Sequence, residues 1–203
     1  MNINLDMDIK TAKKIFEKIY EDIDGYSISN EDKRKLELFS SEFTYGEIDF
    51  DSFIWLMEKV EVKKDDIFYD LGSGTGKPTI STALVFEPFK SVGIEILPGL
   101  YNTSLLIKER LKKYISPLPH IEFKLGDIFK EDFSEATVVF VQLTCFDENK
   151  VSDLEKKFLL LKPYSRIITI TKNLKNEVFE QIESGSIKMG WGTGTYYLYL
   201  KKF

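Results

Sequence analysis

The sequence is poor in cysteine and histidine, the two residue types that most often build thiolate or imidazole metal sites. Its 203 residues include one cysteine, Cys145, and one histidine, His120. A single cysteine excludes a disulfide framework within the chain and a thiolate metal cluster, and a single histidine excludes a multi-histidine metal site. We therefore predict no metal site, and the cysteine usage is typical of an intracellular protein.

The sequence also has no long hydrophobic run. Its longest mainly apolar stretch, 136–146, is interrupted by Gln142 and Thr144 and is too short to cross a bilayer. The first ten residues, MNINLDMDIK, carry acidic residues where a signal peptide has a basic and then an apolar region. These features predict a cytoplasmic protein with no membrane partner.

Positive charge is in deficit. The chain has 28 lysines and arginines against 33 aspartates and glutamates, a net charge of −5. Proteins that bind nucleic acid usually carry a basic surface, so this balance argues weakly against nucleic acid as a direct partner and fits a basic protein target better. The length, without internal repeats or Gly/Ser linkers, predicts one domain, which we expect to be a monomer.

The first 60 residues are predicted to hold three helices, with a loop at 43–52 before the third. Apolar residues recur at three- and four-residue steps over 8–24, which indicates an amphipathic helix, with Gly25 as its stop. Ser29 or Asn30 is the predicted cap of a second short helix that runs to about residue 39. A third helix is predicted after Asp49 or Asp51.

From residue 66 onward, short buried strands alternate with helices of ordinary length. The predicted strands lie at 66–71, 91–96, 120–124, 137–142 and 166–171, and the predicted helices at 78–88, 98–114 and 148–160. This alternation predicts a parallel sheet with helices on both faces. The C-terminal segment, 186–203, reads as an antiparallel hairpin around the turn GTGT. The predicted fold is α/β: a Rossmann-like, mostly parallel seven-stranded sheet closed by an antiparallel hairpin.

The stretch FYDLGSGTGKPT, at 68–79, has three glycines directly after the first predicted strand. A phosphate-binding P-loop needs four residues between its glycines, but only three separate Gly72 from Gly76. A dinucleotide loop needs its third glycine three residues after the second, so Gly76 comes one residue too early after Gly74. Asp70 would also repel a pyrophosphate, whereas it is well placed for an ammonium group.

An acidic residue follows each of three successive predicted strands. Asp70 precedes the glycine loop, Glu95 ends the second strand, and Asp127 follows the third. An acid about 20 residues beyond such a loop accepts ribose hydroxyls. One acid alone is as well explained as a solvated loop residue, but the three together predict a site for a nucleoside that carries an amino acid and no phosphate. S-adenosyl-L-methionine has that structure, with Asp127 and Ile128 placed for its adenine.

Several motifs together resemble a known family, the histone-lysine methyltransferases called disruptor of telomeric silencing, which are class I S-adenosylmethionine-dependent enzymes. The motifs are YGEIDF, FYDLGSGTGK, GIE, GDIF, VVFV and a terminal aromatic hairpin, and they cover about residues 45–202. The glycine loop is common to most class I methyltransferases, whereas the upstream YGE is more specific. The chain resembles a small, core-only version, with a helical lid at 1–44 and a methyltransferase domain at 45–203.

The resemblance implies a role for each matching residue. The implied cofactor-binding residues are Tyr45, Glu47, Asp70, Gly72, Ser73, Gly74, Gly76, Lys77, Glu95, Asp127 and Ile128. The implied residues of the lysine channel are Gln142, Phe146, Trp191 and Tyr197. Gln142 stands where the family has an asparagine, so the channel keeps a carboxamide that is longer by one methylene.

The resemblance implies a protein-lysine N-methyltransferase that uses S-adenosyl-L-methionine. Methyl transfer to an amine depends mainly on positioning, and an apolar aromatic channel lowers the pKa of the substrate amine by desolvation. Two alternatives stay open. The chain can methylate a small molecule or another nucleophile, or it can bind the cofactor without turnover.

Overall fold

The computed structural model describes residues 7–38 and 40–203. The helices are α1 (Ile9–Ile19), α2 (Gly25–Lys35), α3 (Phe50–Lys59), α4 (Lys77–Val85), α5 (Pro98–Leu111) and α6 (Glu148–Phe158). The strands are β1 (Ile67–Leu71), β2 (Lys90–Glu95), β3 (Ile121–Leu125), β4 (Val138–Gln142), β5 (Arg166–Ile170), β6 (Phe179–Met189) and β7 (Gly192–Lys201). Each predicted strand from β1 to β5 is present, with ends that shift by at most one residue.

The seven strands form one sheet in the order β3-β2-β1-β4-β5-β7-β6. Strands β1 to β5 are parallel, and β7 runs antiparallel to both β5 and β6. From β1 the chain builds outward to β2 and β3, and then returns to place β4 on the other side of β1. Such a reversal opens a crevice at the carboxyl ends of the strands, which is where α/β sheets bind ligands.

Successive residues of each central strand face opposite sides of the sheet, because side chains alternate along a strand. On β1, Phe68 belongs to the core that the sheet shares with α1, α3, α4 and α5, whereas Tyr69 belongs to the core under α6. Both side chains are almost completely buried. Burying each contributes roughly 2–3 kcal/mol to folding. The sheet is therefore covered on both faces around β1, which leaves the ends of its central strands free to bind.

An aspartate caps the start of four helices. Asp8, Asp24, Asp49 and Asp147 each accept a backbone N–H from the residue three positions later. Such caps contribute about 1 kcal/mol each. The prediction for α2 was wrong in two respects: the helix is capped by Asp24 rather than by Ser29 or Asn30, and Gly25 begins it instead of ending α1. Its predicted end, at about residue 39, lies outside the described residues.

The C-terminal hairpin is longer than predicted and turns earlier. Met189 pairs with Gly192, so the turn consists of Gly190 and Trp191. The sequence GTGT, predicted as the turn, lies inside β7. The reason is that Gly192 and Gly194 pair in register with β6 and leave only two residues for the turn. The corrected turn places Trp191 at the tip of the hairpin.

The two N-terminal helices pack on the sheet domain. Ala12, Phe16 and Ile19 of α1 are part of the core that includes the sheet. From α2, the Asp32 carboxylate accepts the backbone N–H of Gly99 at 2.5 Å, at the start of α5. Helices α1 and α2, from the segment predicted as a lid at 1–44, therefore pack against the sheet and the start of α5, and the boundary at residue 44 stays a prediction.

Two kinds of feature, a membrane-spanning helix and a metal-binding cluster, are not found in the described ranges, 7–38 and 40–203. These ranges contain no helix long and apolar enough to cross a bilayer. They also contain no group of three or more histidine, cysteine, aspartate or glutamate residues arranged to hold a metal ion.

Candidate active site

A cavity of about 300 Å³ lies at the carboxyl edge of the parallel strands. Its lining comes from the ends of β1 to β4 and the segments that follow them, from a loop before α3 and from the tip of the hairpin. The lining residues are 43–46, Leu71, Gly72, 94–97, Leu100, 126–129, Gln142, 144–146, Lys150 and Trp191. The cavity thus spans the switch point between β1 and β4, where the sheet topology places a ligand.

The glycine loop meets the cavity at Gly72. This residue has a left-handed φ of 80°, and a side chain there would meet no atom within 4 Å, because it would project into open space. Gly74 has a φ of 55°, and a Cβ there would lie 2.5 Å from the Tyr45 ring. The first glycine therefore leaves room for a ligand, and the second leaves room for Tyr45. Ser73, Gly74 and Gly76 belong to the same loop but are outside the cavity lining.

Glu95 lines the cavity with a carboxylate held by two backbone groups. One oxygen accepts the N–H of Gly74 at 2.7 Å, and the other accepts the N–H of Leu97 at 2.8 Å. Burial raises the pKa of Glu95, and the bonds from Leu97 and Gly74 oppose that rise. The carboxylate is consequently fixed at the end of β2, with its remaining lone pairs available to a hydroxyl.

Asp127 and Ile128 lie in the same cavity, after β3. Asp127 accepts the backbone N–H of Phe129 at 2.9 Å, and its other oxygen lies 3.5 Å from the Lys130 ammonium. The Ile128 side chain is buried and, with Phe129, adds apolar surface to the cavity. An acceptor beside apolar surface suits an adenine, whose ring is flat and whose amino group donates.

Asp70 does not line the cavity, although it was predicted to. Its side chain is 1% exposed and accepts the Thr79 hydroxyl of α4 at 2.9 Å. Burial raises the pKa of Asp70 to about 7, with the Glu95 charge adding to the rise and the Thr79 bond opposing it. The carboxyl lies behind the glycine loop, so any effect on a ligand acts through that loop.

Tyr45 lines the cavity and is held by hydrogen bonds on its far side. Its hydroxyl donates to Glu47 at 2.7 Å and lies 3.1 Å from the Thr75 hydroxyl. The Lys77 ammonium lies 2.6 Å from the second oxygen of Glu47. Burial raises the pKa of Tyr45 strongly, with the Glu47 charge as the second cause, so the phenol stays protonated. Glu47 and Lys77 are thus beside the cavity and contact Tyr45 or its partner instead of lining it.

Gln142 and Trp191 meet at Gly46. The Gln142 amide nitrogen donates to the Gly46 carbonyl at 3.3 Å, and its amide oxygen has no hydrogen-bond partner among the described residues, so it can accept from a ligand. A Cβ on Gly46 would lie 3.2 Å from the Trp191 ring, so the glycine allows the ring to pack on the loop. The structure therefore brings together Tyr45, Gly46, Gln142 and Trp191 at one end of the cavity.

The two other predicted channel residues lie elsewhere. Phe146 lines the cavity, but its ring packs on Phe129 with centroids 5.9 Å apart, beside Asp127. Tyr197 pairs with Thr169, one residue before the end of β5, and its ring stacks on Tyr199. It is outside the cavity lining because the earlier turn of the hairpin shifts it toward the middle of the sheet.

Some cavity residues were not predicted. Phe43 and Thr44 come directly before the YGE motif, and Phe129 comes directly after Ile128. Lys150 lies in the first turn of α6, and its ammonium lies 5.2 Å from the centre of the Phe129 ring. Phe146 precedes α6, so no helical spacing connects it with Lys150, and no local pattern marks Lys150 as a cavity residue.

Comparisons with known proteins agree with this geometry. The family model described as "Histone methylation protein DOT1" matches residues 26–189. A histone-lysine N-methyltransferase, H3 lysine-79 specific, from Caenorhabditis elegans is 33% identical over 149 residues, which are 67% of this chain and 15% of that protein. A protein-lysine N-methyltransferase from Saccharolobus islandicus is 36% identical over 115 residues, which are 56% of this chain and 67% of that protein.

Among solved structures, an RNA methyltransferase from Salinibacter ruber in complex with S-adenosyl-L-homocysteine has a TM-score of 0.59 and 26% identity. The match covers 74% of this chain and 90% of that one. The chain spans only 15% of the length of the Caenorhabditis relative and 26% of a Kluyveromyces lactis relative with the same description. The predicted fold class and family resemblance are confirmed: the chain has the Rossmann-like methyltransferase fold and belongs to the DOT1 histone methylation family.

Proposed function

We propose that the protein is an S-adenosyl-L-methionine-dependent protein-lysine N-methyltransferase. One observation carries the proposal: a single cavity joins a nucleoside-type end, with Glu95 and Asp127, to an end formed by Gln142 and Trp191. The first end suits the cofactor, and the second suits an alkylamine. Membership of the DOT1 family and the two protein-lysine relatives support the same activity.

The residues present fit the cofactor. Gly72 leaves open space where any side chain would intrude. Glu95 has a fixed carboxylate for the ribose hydroxyls, and Asp127 with Ile128 and Phe129 has an acceptor and apolar surface for the adenine. When bound, S-adenosyl-L-methionine would supply an electrophilic methyl group whose positively charged sulfur leaves as a neutral thioether when an amine attacks the methyl carbon.

The side chains at the other end prepare the amine. A lysine is protonated in water, with a reference pKa of about 10.4, and must lose that proton to attack. The Trp191 ring and the apolar lining lower that pKa by desolvation, while a ring face still attracts an alkylammonium. The Gln142 oxygen, left free by the bond to Gly46, accepts an amine N–H and aims the nitrogen lone pair. Positioning of this kind can supply much of the rate without a strong general base.

The test uses cofactor labelled in the transferred methyl group, incubated with the purified protein and a whole-cell lysate. We expect label in protein bands and, after acid hydrolysis, in methylated lysine. Label in the small-molecule fraction instead would indicate the small-molecule alternative, and label in RNA would indicate a nucleic-acid substrate. Saturable binding with no transfer would indicate a cofactor-binding protein without turnover.

Two glycine variants make a matched pair for the cofactor end. Gly72 and Gly192 both have positive φ and open space at the Cβ position, but only Gly72 lines the cavity. We expect Gly72→Ala to weaken S-adenosyl-L-homocysteine binding in calorimetry and Gly192→Ala to leave it within twofold. Equal losses in both variants would mean that backbone strain, and not the cavity, explains the effect.

We further propose a basic protein substrate, no direct nucleic-acid partner, a monomer and a cytoplasmic location. The net charge of −5 supports a basic target and the single cysteine supports an intracellular one. Methylation assays on free basic proteins and on nucleosomes test the substrate, and light scattering tests the oligomeric state. Cell fractionation tests the location.

A further inference from the structure

Lys77 is the first residue of α4, and its ammonium is directed to another side chain and not into the cavity. It lies 2.6 Å from Glu47, and the two side chains are only 20% and 19% exposed. The Tyr20 ring lies under the same ammonium, with 5.5 Å between the nitrogen and the ring centre. Lys77 is not among the residues that line the cavity.

We infer that Lys77 is a positioning residue that acts through Glu47 to hold Tyr45, and is not itself a cofactor ligand. This inference rests on the proposed function. It reverses the role that the family resemblance implies for Lys77. The cofactor carries two positive charges, a sulfonium and an ammonium, against one carboxylate, so an unpaired lysine beside it would add to a net positive charge. Paired with Glu47, the lysine charge is offset.

Glu47 connects three parts of the site. One oxygen binds Lys77 and the other accepts the Tyr45 hydroxyl at 2.7 Å. Its backbone carbonyl accepts the N–H of Gly190 at 2.8 Å, at the tip of the hairpin that carries Trp191. A change at Lys77 is therefore transmitted through Glu47 to Tyr45 and to the hairpin tip.

The Tyr45 side chain is enclosed on two sides, and its hydrogen-bond partners fix the position of its hydroxyl. A Cβ added at Gly25 or at Gly74 would lie 2.5 Å from the Tyr45 side chain, on either side of it. Below it, Thr75 approaches the Tyr45 hydroxyl at 3.1 Å, while the Thr75 carbonyl accepts the Tyr20 hydroxyl at 3.0 Å. Without Lys77, the Glu47 carboxylate loses its counterion and moves toward water, which removes the acceptor of the Tyr45 hydroxyl.

A double-mutant cycle tests the inference. The variants are Lys77→Met, Glu47→Gln and the double change, with S-adenosyl-L-homocysteine affinity measured by calorimetry. We expect Lys77→Met alone to raise Kd by about tenfold, the effect of losing a hydrogen bond to a charged group. In the Glu47→Gln background we expect less than a twofold further change. An equal loss in both backgrounds would mean that Lys77 contacts the cofactor directly and would overturn the inference.

A second readout needs no cofactor, so it separates this inference from the proposed function. In a Trp55→Phe background, Trp191 is the remaining tryptophan, because the chain has two. We expect Lys77→Met and Glu47→Gln to shift its emission in the same direction and by a similar amount. Unchanged emission in both variants would overturn the inference. If the wild-type protein binds no cofactor but the two variants show this shift, the result counts against the proposed function alone.

The control is Lys13→Met, which breaks an exposed pair with Asp51 at 2.5 Å, away from the cavity. We expect it to change neither Kd nor emission. Lys77→Arg keeps the cation and is expected to bind within threefold of the wild type. If thermal unfolding shows that Lys77→Met does not fold, Lys77→Gln, which donates a neutral hydrogen bond, takes its place in the same cycle.

Discussion

Gly25 gives the sharpest test of the link between the N-terminal helices and the cavity. A Cβ at this position would lie 2.5 Å from the Tyr45 hydroxyl and 2.7 Å from its ring. In Gly25→Ala the ring must therefore retreat by roughly 1 Å to reach a normal contact distance. Such a shift breaks the 2.7 Å bond from Tyr45 to Glu47.

The size of the effect follows from the bond that is lost. A hydrogen bond to a charged group contributes about 1.5–3 kcal/mol. If this bond holds Tyr45 in the position that the cofactor needs, its loss corresponds to a decrease in affinity of roughly 10- to 150-fold. Alanine is a better helix former than glycine by up to about 1 kcal/mol, so helix α2 itself gains. We therefore expect cofactor affinity to fall at least about tenfold with little loss of overall stability.

Calorimetric titration with S-adenosyl-L-homocysteine measures the affinity, and urea unfolding measures the stability. The matched control is Asn30→Ala, an exposed position on the same helix, which improves helix propensity without touching Tyr45. We expect this control to bind as the wild type does. If Gly25→Ala also binds as tightly as the wild type, the position of the Tyr45 ring is not required for binding and the reasoning is wrong.

Three other predictions concern residues at or near the cavity. Gln142→Leu removes both the donor to the Gly46 carbonyl and the amide oxygen that would accept from the amine. We therefore expect kcat for lysine methylation to fall by about 10- to 100-fold in steady-state assays, while Kd for S-adenosyl-L-homocysteine stays within threefold. A matching loss of affinity would place Gln142 at the cofactor end. Burial raises the pKa of Asp70 to about 7 from 3.8. Between these two pH values the folded protein therefore holds a proton on Asp70 that the unfolded chain has lost. As pH rises through this window, the free energy of unfolding should fall by up to about 4 kcal/mol. Asp70→Asn should flatten this decline in urea titrations, and equal slopes in both proteins would contradict the assignment. Trp191→Ala should raise KM for the protein substrate and Trp191→Phe should restore most of it, whereas unchanged KM in the alanine variant would remove Trp191 from the substrate wall.

Most of the sheet was predictable because its strands are buried on both faces. The apolar runs of β1 and β4 are short and continuous, which marks parallel strands under two layers of helices. Strand β6 gave no such signal. It mixes glutamates, serines and a glycine with few apolar residues, most of its side chains are not buried, and its register shifts between Gln181 and Glu183. Its start was consequently missed, and the turn was misplaced.

Helix α2 was misplaced for a related reason. It starts with a glycine and has only two buried residues, Gly25 and Ser29, so apolar periodicity could not mark it. Its position is set by the Asp24 cap and by tertiary contacts, such as the bond from Gly99 to Asp32. Propensity is a weak signal when tertiary packing decides the outcome.

The candidate site was predictable only in part. Glu95 and Asp127 follow strands, and strand ends of a parallel sheet meet at one edge, so their place in the cavity followed from position alone. The hydrogen-bond partners of Lys77 and Gln142 could not be predicted in this way. Glu47 is 30 residues from Lys77, and Gly46 is 96 residues from Gln142, so no local pattern connects them.

The two-residue turn at Gly190 and Trp191 limits how this chain can be lengthened. Its position is set on both sides: Met189 forms a bridge with Ile48, and Gly190 donates to Glu47. One extra residue inserted here would break that attachment and carry the indole away from Gly46. The loop before β3, where Tyr114 is 46% exposed, lies at the opposite border of the sheet and away from the cavity edge, and it makes neither of these contacts with the hairpin. Insertions for tags or fused modules are therefore tolerated far better on that border than at the hairpin tip.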